Sequence, residues 1–539
     1  MKTIYYICAV LIVLVACTEN KKQSEQSSET TEVAQFQEKY RPQIHFTPPK
    51  GWMNDPNGMV YYQGEYHLFY QHYPNDTQWG PMHWGHTISK DLIHWEHMPI
   101  AIYPDSLGYI FSGSAVVDWK NTSGLGSDEN PPLIAFFTYH NMEKEQAKEI
   151  DVETQAIAYS LDKGRTWIKY DKNPVVKNPG IRDFRDPKVS WHEESQHWIM
   201  SIASQQVIRF YHSKNCIDWS YLSEFGEGYG NHDGVWECPD LFPLKVKDSD
   251  ETKWVLIVNI NPGGPAGGSA TQYFVGEFDG KTFISNQKET LWMDYGKDNY
   301  AGVTWSDTPG NRRILIGWMN NWQYAGKEPA SVWSGAATFP REMGLVKDQS
   351  LYLLTSAPVK ELESIRKEKI EFEPMIVDKS FLLSDLINFD KVPVELNLKF
   401  NHANNTQINF ASQYGIRLKN KKGEYITIGY NNLEKAFYVD RTNAIGEIFS
   451  DKFASLHGVP YIVNTPEVEW QILIDVSSVE LFAAGNRIVI TDTFYPTEPF
   501  DTIELFTQDG LIEVLSASAT HLSSIWKKKA LNGTLSSIK

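Results

Sequence analysis

Cysteine is scarce in this chain, with four in 539 residues. Cys8 and Cys17 fall in the N-terminal stretch, which leaves Cys216 and Cys238, too few for a disulfide framework. No Cys/His spacing has the form of a zinc site, and the sequence calls for no metal and no cofactor. An excess of positive charge is also missing. Fifty Lys and Arg stand against 67 Asp and Glu, a formal net charge of −17. A chain without a basic face is a poor partner for nucleic acid. Long segments of 3.6-residue periodicity are nearly absent, which argues against a helical bundle.

The N-terminus is organised differently from the rest. Lys2 precedes an apolar run, Tyr5–Ala16, that is too short to remain as a spanning helix and reads as a signal peptide over residues 1–16. The run ends in Leu14-Val15-Ala16-Cys17, which resembles the bacterial lipobox. That resemblance implies lipidation of Cys17 and a lipoprotein held at a membrane, periplasmic or cell-surface. An ordinary cleaved signal with a chance Cys is the alternative. Residues 17–39 are rich in Ser, Thr, Glu, Gln and Lys, too polar for a core, and read as a disordered tether.

From about Tyr40 onward, short strand-like runs dominate, such as Met59–Tyr62, Tyr66–Tyr70, Leu133–Thr138, Trp198–Ala203 and Val255–Asn259. Gly, Pro, Asn and Asp punctuate them, the pattern of an all-β sandwich, barrel or propeller. A weak repeat narrows the choice. Ser89-Lys90-Asp91 leads to Trp95, Ser160-Leu161-Asp162 to Trp167, and Ser213-Lys214-Asn215 to Trp219, with Asp279-Gly280-Lys281 and Phe283 a degenerate copy. Each reads as a hairpin turn followed by an aromatic anchor, and recurrence every roughly 50–70 residues suggests propeller blades. Ala357–Lys367 breaks the pattern: Val359, Leu362 and Ile365 share a face, which predicts a short amphipathic helix within a connector over 357–370. The expected organisation is a propeller over 40–356, a sandwich over 371–527 and a tail over 528–539.

Three carboxylates have unusual neighbours. Asp55 lies in Trp52-Met53-Asn54-Asp55-Pro56-Asn57-Gly58, where Pro56 biases it toward an extended backbone. Taken alone, this string reads equally as a tight turn. Asp186, in Phe184-Arg185-Asp186-Pro187, is biased the same way, and Arg185 offers a fork of donors to a carboxylate or a sugar hydroxyl. Glu237 lies between Trp236 and Cys238-Pro239, surroundings that disfavour its ionised form if it is buried. That is what a general acid needs. Strand alternation leaves open whether Glu237 faces inward at all. Aromatic residues make up 13% of the chain, with 18 Trp and 27 Tyr, a composition that suits both a β core and sugar stacking.

Taken in order, these motifs resemble glycoside hydrolase family 32, the invertases, inulinases and levanases. The resemblance begins at Arg41-Pro42-Gln43-Ile44-His45-Phe46-Thr47-Pro48 and W-M-N-D-P-N-G. It runs through Gln71, Trp79-Gly80, Phe111-Ser112-Gly113-Ser114, F-R-D-P and Trp236-Glu237-Cys238-Pro239-Asp240. It ends at Val439-Asp440-Arg441-Thr442 and Ser478-Val479-Glu480-Leu481-Phe482. It implies a five-bladed β-propeller followed by a β-sandwich, and a retaining mechanism with Asp55 as nucleophile, Glu237 as acid/base and Asp186 as transition-state stabiliser. It further implies that Asn54, Gln71, Trp79, Phe111, Ser112, Arg185 and Cys238 line the fructose pocket. The Gly-rich segment Asn261–Phe274 and Trp318-Met319-Asn320-Asn321-Trp322 resemble the exo-acting branch, with Trp318 expected at the pocket. The expected partner is therefore a fructan or fructo-oligosaccharide. Endo-cleavage, plain sucrose hydrolysis, a sialidase and a non-catalytic surface glycan-binding lipoprotein are the other readings. No cue to oligomeric state stands out.

Overall fold

The computed structural model describes residues 36–385, 393–402 and 409–526. Cys17, the signal segment 1–16 and the tail 528–539 lie outside the described residues, as does all but the end of the 17–39 segment. No helix among the described residues is long and apolar enough to cross a membrane.

The chain folds as a five-bladed β-propeller followed by a β-sandwich. The innermost strands of the blades are β1 (Gly51–Tyr62), β2 (Tyr109–Val117), β3 (Phe184–His192), β4 (Val235–Lys245) and β5 (Tyr300–Thr304). Each lies against the next, and β5 lies against β1, so the ring closes around one axis. Outward from β1 to β4 the chain meanders antiparallel, as in the order Tyr109–Val117, Leu133–His140, Glu153–Ser160, Ile168–Lys169 of the second blade. Burial explains the composition of each layer. Leu133–His140 is buried at every position because neighbouring blades cover both its faces, and it reads as a continuous apolar run. The outer strand Ser220–Phe225 is buried only at Phe225, and its composition is mixed. Trp333–Ser334, from the last blade, pairs in parallel with Gly51–Trp52 of the first and latches the ring.

The repeated turns occupy one place in four blades, between the third and fourth strands. Asp91 Oδ1 accepts from the backbone N–H groups of Ile93 (3.0 Å) and His94 (2.8 Å). Asn215 Oδ1 does the same for Ile217 (3.1 Å) and Asp218 (2.8 Å), and Asp279 Oδ1 for Lys281 (2.9 Å) and Thr282 (2.7 Å). Such side-chain caps are why Asp and Asn recur there. The anchoring rings also repeat: Trp167 Nε1 donates to Gly164 O (3.1 Å) and Trp219 Nε1 to Cys216 O (3.0 Å).

The connector holds a short helix and extends into strand on both sides. The short helix is a six-residue 3₁₀ helix (Lys360–Ile365), flanked by the strands Leu351–Pro358 and Arg366–Phe372. Val359, Leu362 and Ile365 are buried, as the pattern implied. Their spacing of three fits three residues per turn and favours the tighter helix.

In the sandwich, the strand Thr502–Leu522 serves both layers. Its first part pairs with Gln413–Lys419 and its second with Val394–Asn401, and the chain bends between them near Asp509-Gly510. The layers enclose an apolar core that includes Leu396, Tyr414, Ile428, Trp470 and Leu505. A second core runs across the domain boundary, joining Phe46, Trp305 and Phe339 to Leu473, Phe482 and Trp526. Buried charge seals the same boundary. His45 contacts Asp475 and Glu480 at 2.7 Å each, Arg341 contacts Glu480 (2.6 Å) and Asp294 (2.9 Å), and Arg441 contacts Asp298 (2.6 Å). The sandwich motifs around Arg441 and Glu480 are therefore parts of the domain boundary.

Candidate active site

All five innermost strands are interrupted near their N-terminal ends by a break in register. The breaks fall between Met53 and Pro56 in β1, Phe111 and Gly113 in β2, Arg185 and Lys188 in β3, Glu237 and Asp240 in β4, and Tyr300 and Val303 in β5. A bulge leaves a residue unpaired and turns its side chain away from the regular alternation. Repeated around a ring, it turns side chains from five blades toward one axial opening. The backbone there is held in the left-handed region at Asp186 (φ +64°), Cys238 (φ +43°) and Ala301 (φ +52°). Each such residue costs on the order of 1–3 kcal/mol and concentrates where surrounding structure enforces it. Asp186 is thus not extended, although Pro187 follows it; the bulge overrides the local bias. The bulge at Glu237–Asp240 likewise cancels the alternation that left Glu237 unassigned. Trp236 packs in a core between blades, and Cys238 packs toward the axis.

The opening is a cavity of about 360 Å³ lined by Asp55, Asp186 and Glu237. Asp55 accepts from Ser112 Oγ at 2.7 Å and from Asn54 Nδ2 at 2.9 Å. Asn54 is itself fixed by Trp52 Nε1, which donates to its Oδ1 at 2.7 Å. Cys238 joins two of the carboxylates: its Sγ is 3.5 Å from both Asp55 Oδ2 and Asp186 Oδ2, and its backbone N–H donates to Asp186 Oδ2 at 3.0 Å. Glu237 is held from the other side. Arg185 donates to its Oε1 from Nη2 at 2.8 Å and from Nε at 3.3 Å, and the Tyr300 hydroxyl donates to Oε2. Arg185 is in turn braced by Asp183 (2.7 Å) and Glu153 (3.2 Å).

Burial dominates the electrostatics. It pushes the Asp186 carboxyl up to about 8; Arg185 and the Cys238 N–H oppose that rise, and Glu237 and Asp55 add to it. Burial also raises Glu237, again against Arg185 and with Asp55. Three carboxyls around one cavity with a single guanidinium between them cannot all be ionised cheaply. Burial thus pushes both Asp186 and Glu237 toward their protonated forms.

Asn54, Gln71, Trp79, Phe111, Ser112 and Arg185 all line the cavity, and Cys238 lies just behind it against the two aspartates. Gln71 Nε2 is buried without a partner among the described residues, a donor left for something in the cavity. Trp79 stands at the mouth, 39% exposed, beside Tyr109 and Phe111. Trp318 is not among the lining residues. It is fully buried behind the wall and packs on Trp52 and on Trp322, and Trp322 is the ring that reaches the cavity. The motif does reach the site, but Trp318 ends a fifth-blade strand with its ring packed inward, and Trp322 lies in the loop after it. Asn321 ties that loop to the Gly-rich one, donating to Gly267 O at 3.2 Å and accepting from Ser269 N at 3.4 Å. A Cβ on Gly268 would lie 2.1 Å from Asn321 Oδ1, so only glycine permits this approach. Tyr300, Glu153 and His140 carry no signal in the sequence that marks them for the site. Glu153 and His140 face each other across adjacent strands (Nδ1 to Oε1, 3.1 Å), a pairing that no local string announces.

The N-terminal domain of glycosyl hydrolases family 32 matches residues 45–356, and the C-terminal domain of the same family matches 361–525. The chain belongs to glycoside hydrolase family 32. It is 43% identical over 506 residues to a levanase of Bacillus subtilis, covering 93% of this chain and 73% of that protein. It is 37% identical over 522 residues to an extracellular exo-inulinase of Aspergillus awamori, covering 91% and 96%. In three dimensions it resembles the crystal structure of the Aspergillus awamori exo-inulinase, with a TM-score of 0.83 at 35% identity over 91% of this chain and all of that one. It also resembles a fructofuranosidase from Schwanniomyces occidentalis solved with fructose, with a TM-score of 0.80 at 32% identity over 90% and 99%. Membership in the family makes this chain a glycosidase.

Proposed function

We propose that the chain is a retaining β-fructofuranosidase that releases terminal fructose from β-fructans, levan or inulin, and also hydrolyses sucrose. The observation that carries this reading is the meeting of Asp55, Asp186 and Glu237 in one axial cavity, with Asp55 and Asp186 sharing Cys238 and Glu237 held by Arg185. In this reading an Asp55 oxygen attacks the anomeric carbon of the terminal fructosyl unit, and the bond to the glycosidic oxygen breaks. Glu237 delivers its proton to that oxygen, and the leaving saccharide departs. The fructosyl unit is then an ester of Asp55. Glu237, now a carboxylate, takes a proton from water as the water attacks the same carbon, which frees fructose and restores both groups. Asp186, in this reading, holds fructose hydroxyls and so fixes the sugar ring as oxocarbenium-like charge develops on it. The Gln71 amide supplies a donor to a sugar hydroxyl, and the rings at the mouth, Trp79 and Trp322, supply apolar faces.

Exo-release is favoured by the kinship with exo-inulinases. Incubation with levan, inulin and sucrose, with products separated by size, tests it. Fructose as the sole early product is expected from both fructans; a ladder of oligomers would mean endo-cleavage, and no product from any of the three would return the chain to glycan binding. Cys17 is proposed as the lipid-bearing residue of a membrane-anchored lipoprotein, on the strength of the Leu14–Cys17 string. Metabolic labelling with a fatty-acid analogue should mark the native chain and leave Cys17→Ala unlabelled.

A further inference from the structure

A second cavity, of about 550 Å³, opens at the opposite end of the propeller axis and is larger than the catalytic one. Its wall is built at the C-terminal ends of the innermost strands: Val116 and Val117 from β2, Ser190 and Trp191 from β3, Pro243 from β4 and Trp305 just after β5. The two cavities are kept apart by a buried polar layer. Lys188 Nζ lies 3.2 Å from Asp240 Oδ2 and donates to Thr304 O at 2.5 Å, and Asp240 Oδ2 accepts from Thr304 N at 2.7 Å. Nothing in the proposed reaction reaches through that layer, so the distal cavity has no part in the catalytic steps.

Its lining combines aromatic rings with charged side chains. Trp119 leaves 54% of its surface exposed, and only Trp79 among the other tryptophans of the described residues is exposed as well. The ring is not loose: its Nε1 donates to Asp307 Oδ1 at 2.9 Å, and it rests on Tyr62, centroids 5.6 Å apart. Trp191 is set edge-on to Trp198 at 5.2 Å, and Trp198 is pinned by Thr122 Oγ1 at 2.9 Å. Two indoles are thus fixed in orientation before any ligand arrives, which lowers the ordering cost of binding. Among them stand planar polar groups. Arg313 lies over the Phe242 ring, 4.7 Å from its centroid, bonds Thr304 Oγ1 at 3.3 Å, and has its Nε buried without a partner among the described residues. Asp307 and Glu193 also line the cavity, accepting from Trp119 Nε1 and from Trp191 Nε1 (2.6 Å), and Lys120 Nζ stands 4.8 Å from the Trp191 ring centroid. Fixed aromatic faces for C–H surfaces, with a guanidinium and carboxylates for hydroxyls, suit a neutral polyhydroxylated ligand. The mixed signs of charge disfavour a polyanion.

We propose that this distal cavity is a second, non-catalytic binding site for a segment of fructan chain. The choice of fructan rests on the activity proposed above. One molecule would then hold the polymer at two ends of its axis, and the second contact becomes intramolecular once the first is made.

The test uses the full chain carrying Glu237→Gln, titrated by calorimetry with an inulin-type fructo-oligosaccharide, with and without Trp119→Ala and Trp191→Ala. Two sites per chain are expected in Glu237→Gln and one after the tryptophan substitutions; one site in both overturns the proposal. Trp119→Ala alone, at an exposed ring, guards against misfolding and should weaken the second site about tenfold. In the otherwise native enzyme, Trp119→Ala should leave sucrose turnover unchanged and lower kcat/KM on polymeric levan. Equal loss on both substrates counts against a separate site. Comparable binding of a glucan oligosaccharide would overturn the assignment to fructan. If the native chain hydrolyses no fructan yet its stoichiometry falls from two to one, the catalytic reading fails and the distal site stands.

Discussion

Arg185 donates to Glu237 Oε1 through two nitrogens, Nη2 at 2.8 Å and Nε at 3.3 Å. The guanidinium therefore favours the ionised form of the very carboxyl that must arrive protonated, and burial works against it. The net direction is upward, so Glu237 keeps its proton above the ordinary carboxylate range. Replacing Arg185 by Met removes the opposing charge. The alkaline limb of kcat/KM should then move up, even as the rate falls. A pH profile of sucrose hydrolysis reads this, and a limb that stays in place or moves down would show that Arg185 does not set the acid.

Glu153 is a positioning residue one step further back. It is buried, accepts from Phe184 N at 2.7 Å, and holds both Arg185 (3.2 Å) and His140 (3.1 Å). Glu153→Gln keeps the shape and removes the charge, so more of the Arg185 field falls on Glu237. The limb should shift down, opposite to Arg185→Met, with kcat lower by about tenfold, less than loss of a direct transition-state donor. Glu153→Asp should restore part of the rate, and a rate loss without any limb shift would leave Glu153 a structural role only.

The fold is legible because its signals are local. Asp91, Asn215 and Asp279 cap their own turns within three residues, so the caps show in the string itself. Asp55 and Glu237 are legible only as members of an ordered set of motifs. What escapes depends on bulges and on pairing between strands. Period-two alternation cannot say where Glu237 points once the register breaks beside it. Pro187 predicts an extended Asp186, and the ring of blades holds it at φ +64°. Trp318 and Trp322 look alike in sequence; one ends a strand facing the core and the other opens a loop facing the cavity.

Gly113 makes the bulge beside Ser112 possible. A Cβ there would lie 1.9 Å from Phe136 O, a backbone atom that cannot step aside. Gly113→Ala must push β2 away from Leu133–His140 and carry Ser112 Oγ off Asp55. A loss of about 3 kcal/mol is expected from the overpacking alone, read as a lower denaturant midpoint, together with a lower kcat. A variant as stable as the parent would mean that the two strands are not packed this closely.

His45 makes stability depend on pH at the domain boundary. Burial opposes its charge, yet the flanking Asp475 and Glu480 raise its pKa from 6.5 to about 9. A raised folded value means that the folded chain binds the proton more tightly than the unfolded chain. The contribution is complete below pH 6.5 and is lost as pH climbs toward about 9. That shift corresponds to at most about 3 kcal/mol. Glu480 has the opposite sense: its value is lowered to about 2, so its contribution holds above the ordinary carboxylate range and fades as pH falls toward 2. His45→Gln should therefore be less stable than the parent at pH 6, with the gap closing by pH 9. Denaturant unfolding at the two pH values reads the difference. Parallel curves for parent and variant across that window would show that His45 is not charged between its two carboxylates.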